Sequence, residues 1–367
     1  MEIKLNQEEE IHIIDYSKDE LYQEALNLLN ELIPIESFNK QENKSADALS
    51  EFFSRKKISH QRKANNLWAF NKHFNPLLPT ILLSAHHDRG RPAFGWSINP
   101  FLPLIENGKL YGLGSNNVGA GLVSLIATFI YFNERDDLKY NFVFAATEEV
   151  ENSGNNGLKL LLPKLGEIDF AIIGEPTKMQ LIIAEKEVMV IDCISKSGFS
   201  PANGRENAIY MALKDIEWFK NYKSSPTQEF SMPITMLLTQ IETINGESKN
   251  PDKCKFTVDI KSAGKYDNSE LLNIIKQNTN SEIKVRPARL KSALIDNSHP
   301  FVNANSESGE IILSSHSIAA DALVDVPSFI IGPGDPARLN TSDEFIYLHE
   351  INEGIRMYID MLIKVVL

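Results

Sequence analysis

Cysteine is scarce in this chain of 367 residues. Cys193 and Cys254 are its two cysteines, and no CxxC pair occurs. Disulfide frameworks and cysteine zinc sites both need several cysteines at close spacing, so the sequence excludes both as the basis of this fold. Low cysteine use is typical of proteins kept in a reducing compartment, and we expect a cytoplasmic protein.

Positive charge is in deficit as well. The chain has 37 Lys and Arg residues against 49 Asp and Glu residues, which gives a net charge of −12. A surface of this sign repels nucleic-acid phosphates and anionic lipids, so we expect neither nucleic acid nor membrane as a partner. A small molecule or another protein is the partner that this charge favours.

Long apolar runs are missing too. The longest run, Leu122–Phe132, is shorter than the ~20 residues that a membrane-spanning helix needs. The first ten residues, Met1–Glu10, are acidic and lack the apolar core of a signal peptide. These absences predict a soluble protein that is not exported.

Short apolar runs and amphipathic stretches of helix length do occur, and they alternate along the chain. The runs that predict buried strands are Thr80–Ser84, Phe142–Ala146, Phe170–Ile173 and Ser328–Ile331. The stretches that predict helices are Lys18–Ile33, Val118–Phe132, Ala208–Asn221 and Leu348–Val366. Strand alternating with helix predicts an α/β fold with a mainly parallel sheet sandwiched by helices.

The segment from Glu187 to Pro287 has a different pattern. Its apolar residues alternate with polar ones at Val188–Ile194 and Lys255–Ile260, and a further helix is predicted at Glu270–Gln277. A chain of this length suits two domains. We therefore predict an inserted α+β domain at residues 187–287, and a first domain built from residues 1–186 and 288–367.

Chemically active side chains follow three of the predicted strands. His86 and Asp88 come after the first strand, an acidic stretch from Glu148 to Glu151 comes after the second, and Glu175 comes after the third. Ligands of open α/β sheets bind at the carboxyl ends of the strands, where these side chains would meet. Alone, the histidine could equally be structural and the acidic stretch simply solvated, but their combination indicates one cleft.

Several motifs together give the chain a resemblance to a known family. They are the Leu82-Leu83-Ser84-Ala85-His86-His87-Asp88 strand end, the Trp96…Pro100-Phe101 loop, the Tyr111-Gly112-Leu113-Gly114-Ser115 turn, the Gly174-Glu175-Pro176-Thr177 loop, the Glu206-Asn207-Ala208-Ile209-Tyr210 stretch and the Gly332-Pro333-Gly334-Asp335…Asp343-Glu344-Phe345 segment. With them the chain resembles the acetylornithine deacetylase and succinyl-diaminopimelate desuccinylase family of di-zinc amidohydrolases. The resemblance implies a catalytic domain with two zinc ions, a smaller inserted lid domain through which two copies usually dimerise, and an N-acyl amino acid as substrate.

The metal-binding positions that this resemblance implies are only partly kept. His86, oriented by Asp88, matches the first histidine ligand, and Glu175 matches a glutamate ligand. The aspartate that bridges the two zinc ions in the family falls at Asn117 in this chain. An amide oxygen is neutral and bridges two cations poorly, so we expect at most one weakly bound zinc ion, or none.

Four further positions of the family pattern are also implied. An alignment without gaps places the second glutamate ligand at Glu151 and the general base at Val150. The late histidine ligand falls at Asn340, and the lid histidine that polarises the scissile carbonyl falls at Phe199. Valine cannot carry a proton, and general acid–base catalysis contributes about 10²–10⁴ in rate, so we expect an impaired or inactive relative of the family.

Two alternatives stay open at this stage. A two-residue bulge in the acidic stretch would let Glu148 and Glu149 replace the expected acidic pair, and the chain would then be an active deacylase of an N-acetyl or N-succinyl derivative of ornithine, citrulline or a similar amino acid. Arg338, Asp335 and Glu344 have charges typical of a surface and are candidates for binding the substrate, although a structural ion pair explains such charges equally well.

Overall fold

Two units of structure share the chain, and the first is assembled from three separate segments. The computed structural model describes residues 17–37, 43–148, 157–185, 187–197, 199–200, 204–205, 207–223, 234–244, 251–262, 268–286, 299, 301, 312–314, 323, 326–339 and 341–367. The first unit comprises Met1–Leu181, Ile295–Glu310 and Val326–Leu367, and the second comprises Ile182–Leu294 and Ile311–Asp325. The predicted insertion at residues 187–287 lies within the second unit.

The helices and strands are numbered here in chain order. The helices are α1 Lys18–Leu32, α2 Asn43–Arg55, α3 Ala120–Asn133, α4 Leu158–Leu165, α5 Ala208–Asn221, α6 Asn268–Asn278 and α7 Leu348–Val366. The strands are β1 Gln61–Lys63, β2 Asn66–Phe70, β3 Thr80–His86, β4 Leu104–Glu106, β5 Lys109–Tyr111, β6 Asn141–Thr147, β7 Phe170–Ile173, β8 Ile182–Glu185, β9 Glu187–Lys196, β10 Phe199–Ser200, β11 Gly204–Arg205, β12 Thr235–Ile244, β13 Lys253–Ser262, β14 Glu282–Val285, β15 Ile312–Ser314, β16 Ser328–Ile330 and β17 Phe345–Tyr347.

The central sheet of the first unit is mainly parallel. Its strands lie in the order β1, β2, β6, β3, β7, β16. Strand β3 pairs in parallel with both β6 and β7, and β16 pairs in parallel with β7, whereas β1 and β2 are antiparallel. The α/β fold class predicted from the sequence is therefore confirmed. Because β3 and β7 run in the same direction, the side chains that follow them meet at one edge of the sheet.

Helix α3 is the core helix of the first unit. Its residues are buried with the exception of Tyr131, and it packs against β3 and β6 as well as α1 and α7. A helix that is apolar on every side is stable only when it is covered on every side. The stretch Ser115–Asn133 is long and apolar enough to cross a membrane by length and composition, but 83% of it is buried inside the protein.

The second unit is an α+β structure with its own core. Its antiparallel sheet has the strand order β12, β13, β9, β14. Helices α5 and α6 contribute Ala212, Phe219 and Ile275 to a core that also contains Ile191 and Phe256 from the sheet. Strands β8 and β15, which also belong to this unit, form a parallel pair.

The predicted helix at Val118–Phe132 starts later in the structure than its pattern suggested. Helix α3 begins at Ala120, and an irregular turn, Ser115–Gly119, precedes it. Asn117 has φ −116° and ψ 95°, which is outside the helical region, and its peptide bond to Val118 is cis. This turn carries one of the predicted site residues.

Candidate metal-binding site

His86 is the last residue of β3, and both nitrogen atoms of its ring face carboxylates. Its Nδ1 atom lies 3.2 Å from Asp88 Oδ1, and its Nε2 atom lies 3.5 Å from Glu175 Oε1. A carboxylate at Nδ1 fixes the orientation of the ring and leaves Nε2 to meet a ligand. The structure thus brings His86, Asp88 and Glu175 together, as the positions of the strand ends suggested.

Glu175 follows β7 in a loop that is fastened to the segment after β16. The backbone N–H of Thr177 donates to the Gly332 carbonyl at 3.0 Å, and the Gly332 N–H donates to Thr177 Oγ1 at 3.1 Å. The Glu175 residue is 8% exposed, and burial raises the pKa of its carboxyl, an effect that His86 opposes and Asp88 strengthens. Among the described residues, no donor makes a hydrogen bond to its buried Oε1 atom.

Asn117 lies in the turn Ser115–Gly119, and its side-chain oxygen is buried as well. Its side-chain Oδ1 accepts no hydrogen bond within the described part of the chain. The turn lies close to the other two site residues. A small cavity of about 10 Å³ is lined by His86 and Asp88 on one side and by Val118 and Gly119 on the other.

Helix α3 is equally close to the Glu175 loop. A Cβ atom at Gly121, the second residue of the helix, would lie 2.4 Å from the Gly174 carbonyl oxygen. Only glycine permits this approach of the two backbones. The ends of β3 and β7 and the turn before α3 are therefore in mutual contact.

The turn is held by the carboxylate of Glu344, which is buried and not at the surface as its charge suggested. Glu344 accepts hydrogen bonds from the backbone N–H groups of Gly114 at 3.1 Å, Asn116 at 2.9 Å and Asn117 at 2.7 Å. Burial raises the pKa of Glu344, and these bonds and Arg89 counteract the rise. The motif Asp343-Glu344-Phe345 pointed to this residue, but no local pattern shows which backbone groups it meets.

Arg89 is the residue of this cluster that the sequence did not indicate. Its guanidinium donates to the carbonyl groups of Leu32, Ile33 and Leu113, and so ties the end of α1 to the Gly114 turn. Burial lowers the pKa of Arg89 to about 10, and Glu344 opposes that change. The group stays protonated at neutral pH and supplies a buried positive charge next to Glu344.

Other polar residues near the strand ends have structural partners. His87 contacts Ser45 Oγ through Nδ1 and the Asn65 carbonyl through Nε2, both at 2.8 Å. The Glu148 carboxylate accepts a 2.8 Å hydrogen bond from the Asn65 side chain. The bulged alternative relied on Glu148 and Glu149. Glu148 is engaged with Asn65, and Glu149 lies outside the described residues.

Two of the predicted substrate-binding residues are each engaged in an ion pair. Arg338 makes two hydrogen bonds to Glu350, at 2.7 and 2.9 Å, and its guanidinium lies over the Phe345 ring. Asp335 lies 2.9 Å from Lys178 Nζ. Burial would raise the pKa of Asp335, but a backbone hydrogen bond and Lys178 hold it below its usual value.

The other four predicted positions include residues or side chains that the structure does not describe. Val150, Glu151 and Asn340 lie outside the described residues. Phe199 opens strand β10, which pairs with β11, but its side chain is not among those described. The structure therefore leaves these four assignments as predictions.

The separation of two described donors fits a shared metal ion. Two ligands that share a tetrahedral zinc ion at 2.0–2.1 Å lie about 3.3 Å apart, close to the 3.5 Å between His86 Nε2 and Glu175 Oε1. Asn117, whose side-chain oxygen is buried without a described hydrogen bond, precedes Val118, which lines the same cavity as His86. Within the described ranges, no group of three or more His, Cys, Asp and Glu residues could hold a metal ion.

Comparison with known proteins identifies the family. The model of peptidase family M20/M25/M40 matches residues 82–364. The chain belongs to this family. The match includes β3 from Leu82 onward, the turn before α3, the Glu175 loop and Glu344, so the cluster described above lies within the family region.

Curated relatives and solved structures of the M20 family match along nearly the whole chain. A Staphylococcus aureus (strain MSSA476) relative named "Probable succinyl-diaminopimelate desuccinylase" is 23% identical over 88% of this chain and 93% of its own length. Aminopeptidase PepT from Bacillus cereus has a TM-score of 0.72 at 17% identity and covers 94% of this chain and 98% of its own. The Bacillus subtilis YXEP protein, described as a dinuclear metal-binding peptidase from the M20 family, has a TM-score of 0.67 at 14% identity and covers 95% and 100%.

Proposed function

We propose that this chain is an M20-family amidohydrolase homologue with a reduced metal site, which binds at most one zinc ion weakly and hydrolyses its substrate slowly or not at all. The observation that carries the proposal is Asn117. Its buried side-chain oxygen has the environment of a ligand, since no described donor satisfies it, but an amide brings no negative charge. A neutral oxygen cannot offset the charge of two zinc ions.

His86 and Glu175 would hold the remaining ion. Asp88 fixes the imidazole through Nδ1, and the hydrogen bonds between Thr177 and Gly332 hold the loop that carries Glu175. A bound zinc ion supplies a Lewis acid for the scissile carbonyl and lowers the pKa of its bound water. The low exposure of His86 and Glu175 excludes bulk water from the site.

Proton transfer and stabilisation of the oxyanion are the steps for which this chain lacks groups. In the register given by the sequence, Val150 occupies the position of the general base and Phe199 that of the lid histidine. Each such group contributes roughly 10²–10⁴ in rate, and together their loss would abolish measurable turnover. Binding of a ligand without hydrolysis is then the function that remains.

An N-acyl amino acid is the ligand class that we propose. The curated Staphylococcus relative carries the name of a desuccinylase that acts on succinyl-diaminopimelate, which favours N-succinyl or N-acetyl derivatives of a diamino acid. The competing proposal is an active deacylase of N-acyl ornithine, citrulline or a similar amino acid. It would be favoured if Glu149 rather than Val150 faced His86. A cytoplasmic location accords with the scarcity of cysteine.

We further propose that the second unit mediates a homodimer. Strand β12 lies at the edge of its sheet, and Leu237 and Ile241 on it are 62% and 48% exposed. Leu238 and Ile241 pair with the buried residues Val258 and Phe256, and so lie on the face of the sheet that carries the core. An apolar edge strand with open backbone groups is a template for pairing with another strand.

Zinc content and deacylation assays test the proposed function. The parent chain should hold less than one zinc ion per chain after dialysis and should not hydrolyse N-acetylornithine or N-succinyl-diaminopimelate. Asn117→Asp should raise zinc affinity, and adding Val150→Glu and Asn340→His should raise it further. Turnover should stay low until Phe199→His is added, since one oxyanion donor contributes about 10²–10³ in rate.

A matched control distinguishes the effect of a carboxylate at the ligand position from the general effect of an added negative charge. Asn116→Asp places the same charge one residue away, where the side-chain oxygen already accepts a 2.9 Å hydrogen bond from the Asp335 N–H. It should leave zinc affinity unchanged. A parent chain that binds two zinc ions tightly and hydrolyses either substrate at an ordinary rate would overturn the proposal.

A further inference from the structure

Glu344 makes several hydrogen bonds to the backbone in and before the turn that precedes α3. Its side chain is 2% exposed, and its carboxylate accepts three backbone N–H bonds from residues 114–117. Its own carbonyl also accepts a 3.0 Å bond from the Gly112 N–H. Both its backbone and its side chain therefore bind the same turn.

The shortest of the three bonds comes from Asn117. Its N–H donates to Glu344 Oε1 at 2.7 Å, and the Asn116 N–H donates to the same oxygen. The Asn117 backbone, at φ −116° and ψ 95°, is outside the helical region, and its side-chain oxygen is buried with no described donor. The next residue, Val118, lines the same cavity as His86.

Arg89 lies against the residues that lead into the same turn. Its side chain crosses the space that a Cβ atom at Gly114 would need, and its guanidinium donates to the Leu113 carbonyl at 2.7 Å. Arg89 and Glu344 therefore both hold this stretch of backbone in place.

We propose that Glu344 is a positioning residue, which fixes the turn so that the side chain of residue 117 faces a cation held by His86 and Glu175. This inference rests on the proposed function, because it assigns the unsatisfied Asn117 oxygen to the metal site. Partners one step removed from a metal set the orientation of its ligands, and their loss lowers metal affinity by about 10–100-fold.

The experiment compares zinc affinity in chains that carry Asn117→Asp, where binding is strong enough to measure. Glu344→Gln keeps the shape of the side chain but has one carbonyl oxygen in place of two carboxylate oxygens. If that oxygen takes the position of Oε1 or of Oε2, the NH₂ group takes the other position and faces a backbone N–H donor. Zinc titrated by calorimetry should bind about 10–100-fold more weakly than in Asn117→Asp alone. Glu344→Asp, which keeps the charge on a shorter side chain, should lose less.

Asp215 offers a matched control in the second unit. Its buried carboxylate also accepts backbone N–H bonds, from Asn280 and Ser281. Asp215→Asn should lower the melting temperature and leave zinc affinity unchanged. If Glu344→Gln lowers only the melting temperature and leaves zinc affinity equal to that of Asn117→Asp, Glu344 is structural and the inference is wrong.

If Asn117→Asp gains no zinc affinity, the proposed function is wrong. The role of Glu344 in fixing the turn can then still be tested by hydrogen exchange. In the parent chain, Glu344→Gln should speed amide exchange at residues 114–117 by more than tenfold, while amides within α3 keep their protection. Unchanged exchange at residues 114–117 would show that Glu344 does not fix the turn, and the inference would fall with it.

Discussion

Asn117 and Glu175 each contain a buried oxygen atom that no described residue satisfies with a hydrogen bond. Leaving such a group unsatisfied costs about 1–3 kcal/mol of folding free energy. Natural chains tolerate that cost mainly at functional sites. Under the proposed function, this pair is the place at which the protein gives up stability for binding, even though Asn117 lacks the charge of a carboxylate.

Asp192 is a residue whose electrostatic role can be tested by pH. Arg286 contacts both of its carboxylate oxygens, at 3.1 and 2.8 Å, and this contact is the main reason that the pKa of Asp192 lies below its usual value. A lowered folded-state pKa stabilises the protein above the usual Asp pKa, and the contribution disappears as the pH falls through the folded value.

We expect Asp192→Asn to reduce the free energy of unfolding by about 1–2 kcal/mol at neutral pH. The difference from the parent should begin to shrink below about pH 4, where Asp192 of the unfolded chain takes up a proton, and should disappear as the pH falls through the lower pKa of the folded chain. Urea unfolding across this range measures both effects. Arg286→Lys keeps the charge but loses the two-point contact, so it should cost less at neutral pH. A difference that stays constant with pH would contradict the assignment.

At the scale of whole elements, the contact between α3 and the Glu175 loop makes a clear prediction. Alanine usually stabilises a helix by up to about 1 kcal/mol relative to glycine. Gly121→Ala should instead destabilise, by about 1–3 kcal/mol, because its Cβ atom would lie 2.4 Å from the Gly174 carbonyl oxygen. Thermal unfolding measures the change.

Ser124, in the same helix, is the control for this prediction. Its buried hydroxyl oxygen has no hydrogen-bond partner among the described residues. Ser124→Ala should therefore be neutral or stabilising. If Gly121→Ala proves as stable as Ser124→Ala, the close approach of α3 to Gly174 is wrong.

Elements with strong local signals were predictable from the sequence. The bounds of Ala208–Asn221 and Leu348–Val366 agree with those of α5 and α7, and Phe170–Ile173 agrees with β7. Each has an apolar pattern of the right period, and Asn207 caps the first helix by accepting from the Ile209 N–H. The start of α3 was not predictable, because the non-helical turn before it is bound by Glu344, 227 positions after Asn117, and no local pattern shows this contact.

In the candidate site, too, some residues could be placed from the sequence and others could not. His86, Asp88 and Glu175 follow parallel strands, so their meeting could be inferred from strand order alone. Arg89 and Glu344 could not be placed in that way, since their partners are backbone groups exposed by turns. Two charges that the sequence offered for substrate binding, Arg338 and Asp335, pair with Glu350 and Lys178.

At the scale of the whole molecule, the proposed dimer predicts a measurable mass. Sedimentation should give twice the mass of one chain, and Leu238→Glu with Ile241→Glu should give single chains, because charge on an apolar edge opposes its pairing. Gln240→Glu adds charge to the same strand at a residue that is already polar, and should leave the dimer intact. A parent that sediments as a single chain would exclude this dimer.

The division of the first unit into separate segments also has a consequence for the protein while it is being made. Strand β16, which covers the edge of β7, leaves the ribosome some 155 residues after β7 does, counted from Ile173 to Ser328. At the usual rate of synthesis that interval is roughly 10–30 s. During this interval, the edge of β7 in the nascent chain is unpaired. The core helix α3 is also exposed, because α7 has not yet been synthesised to cover it. Such surfaces bind chaperones or aggregate, so the yield of this protein in a cell depends on what occupies them during translation.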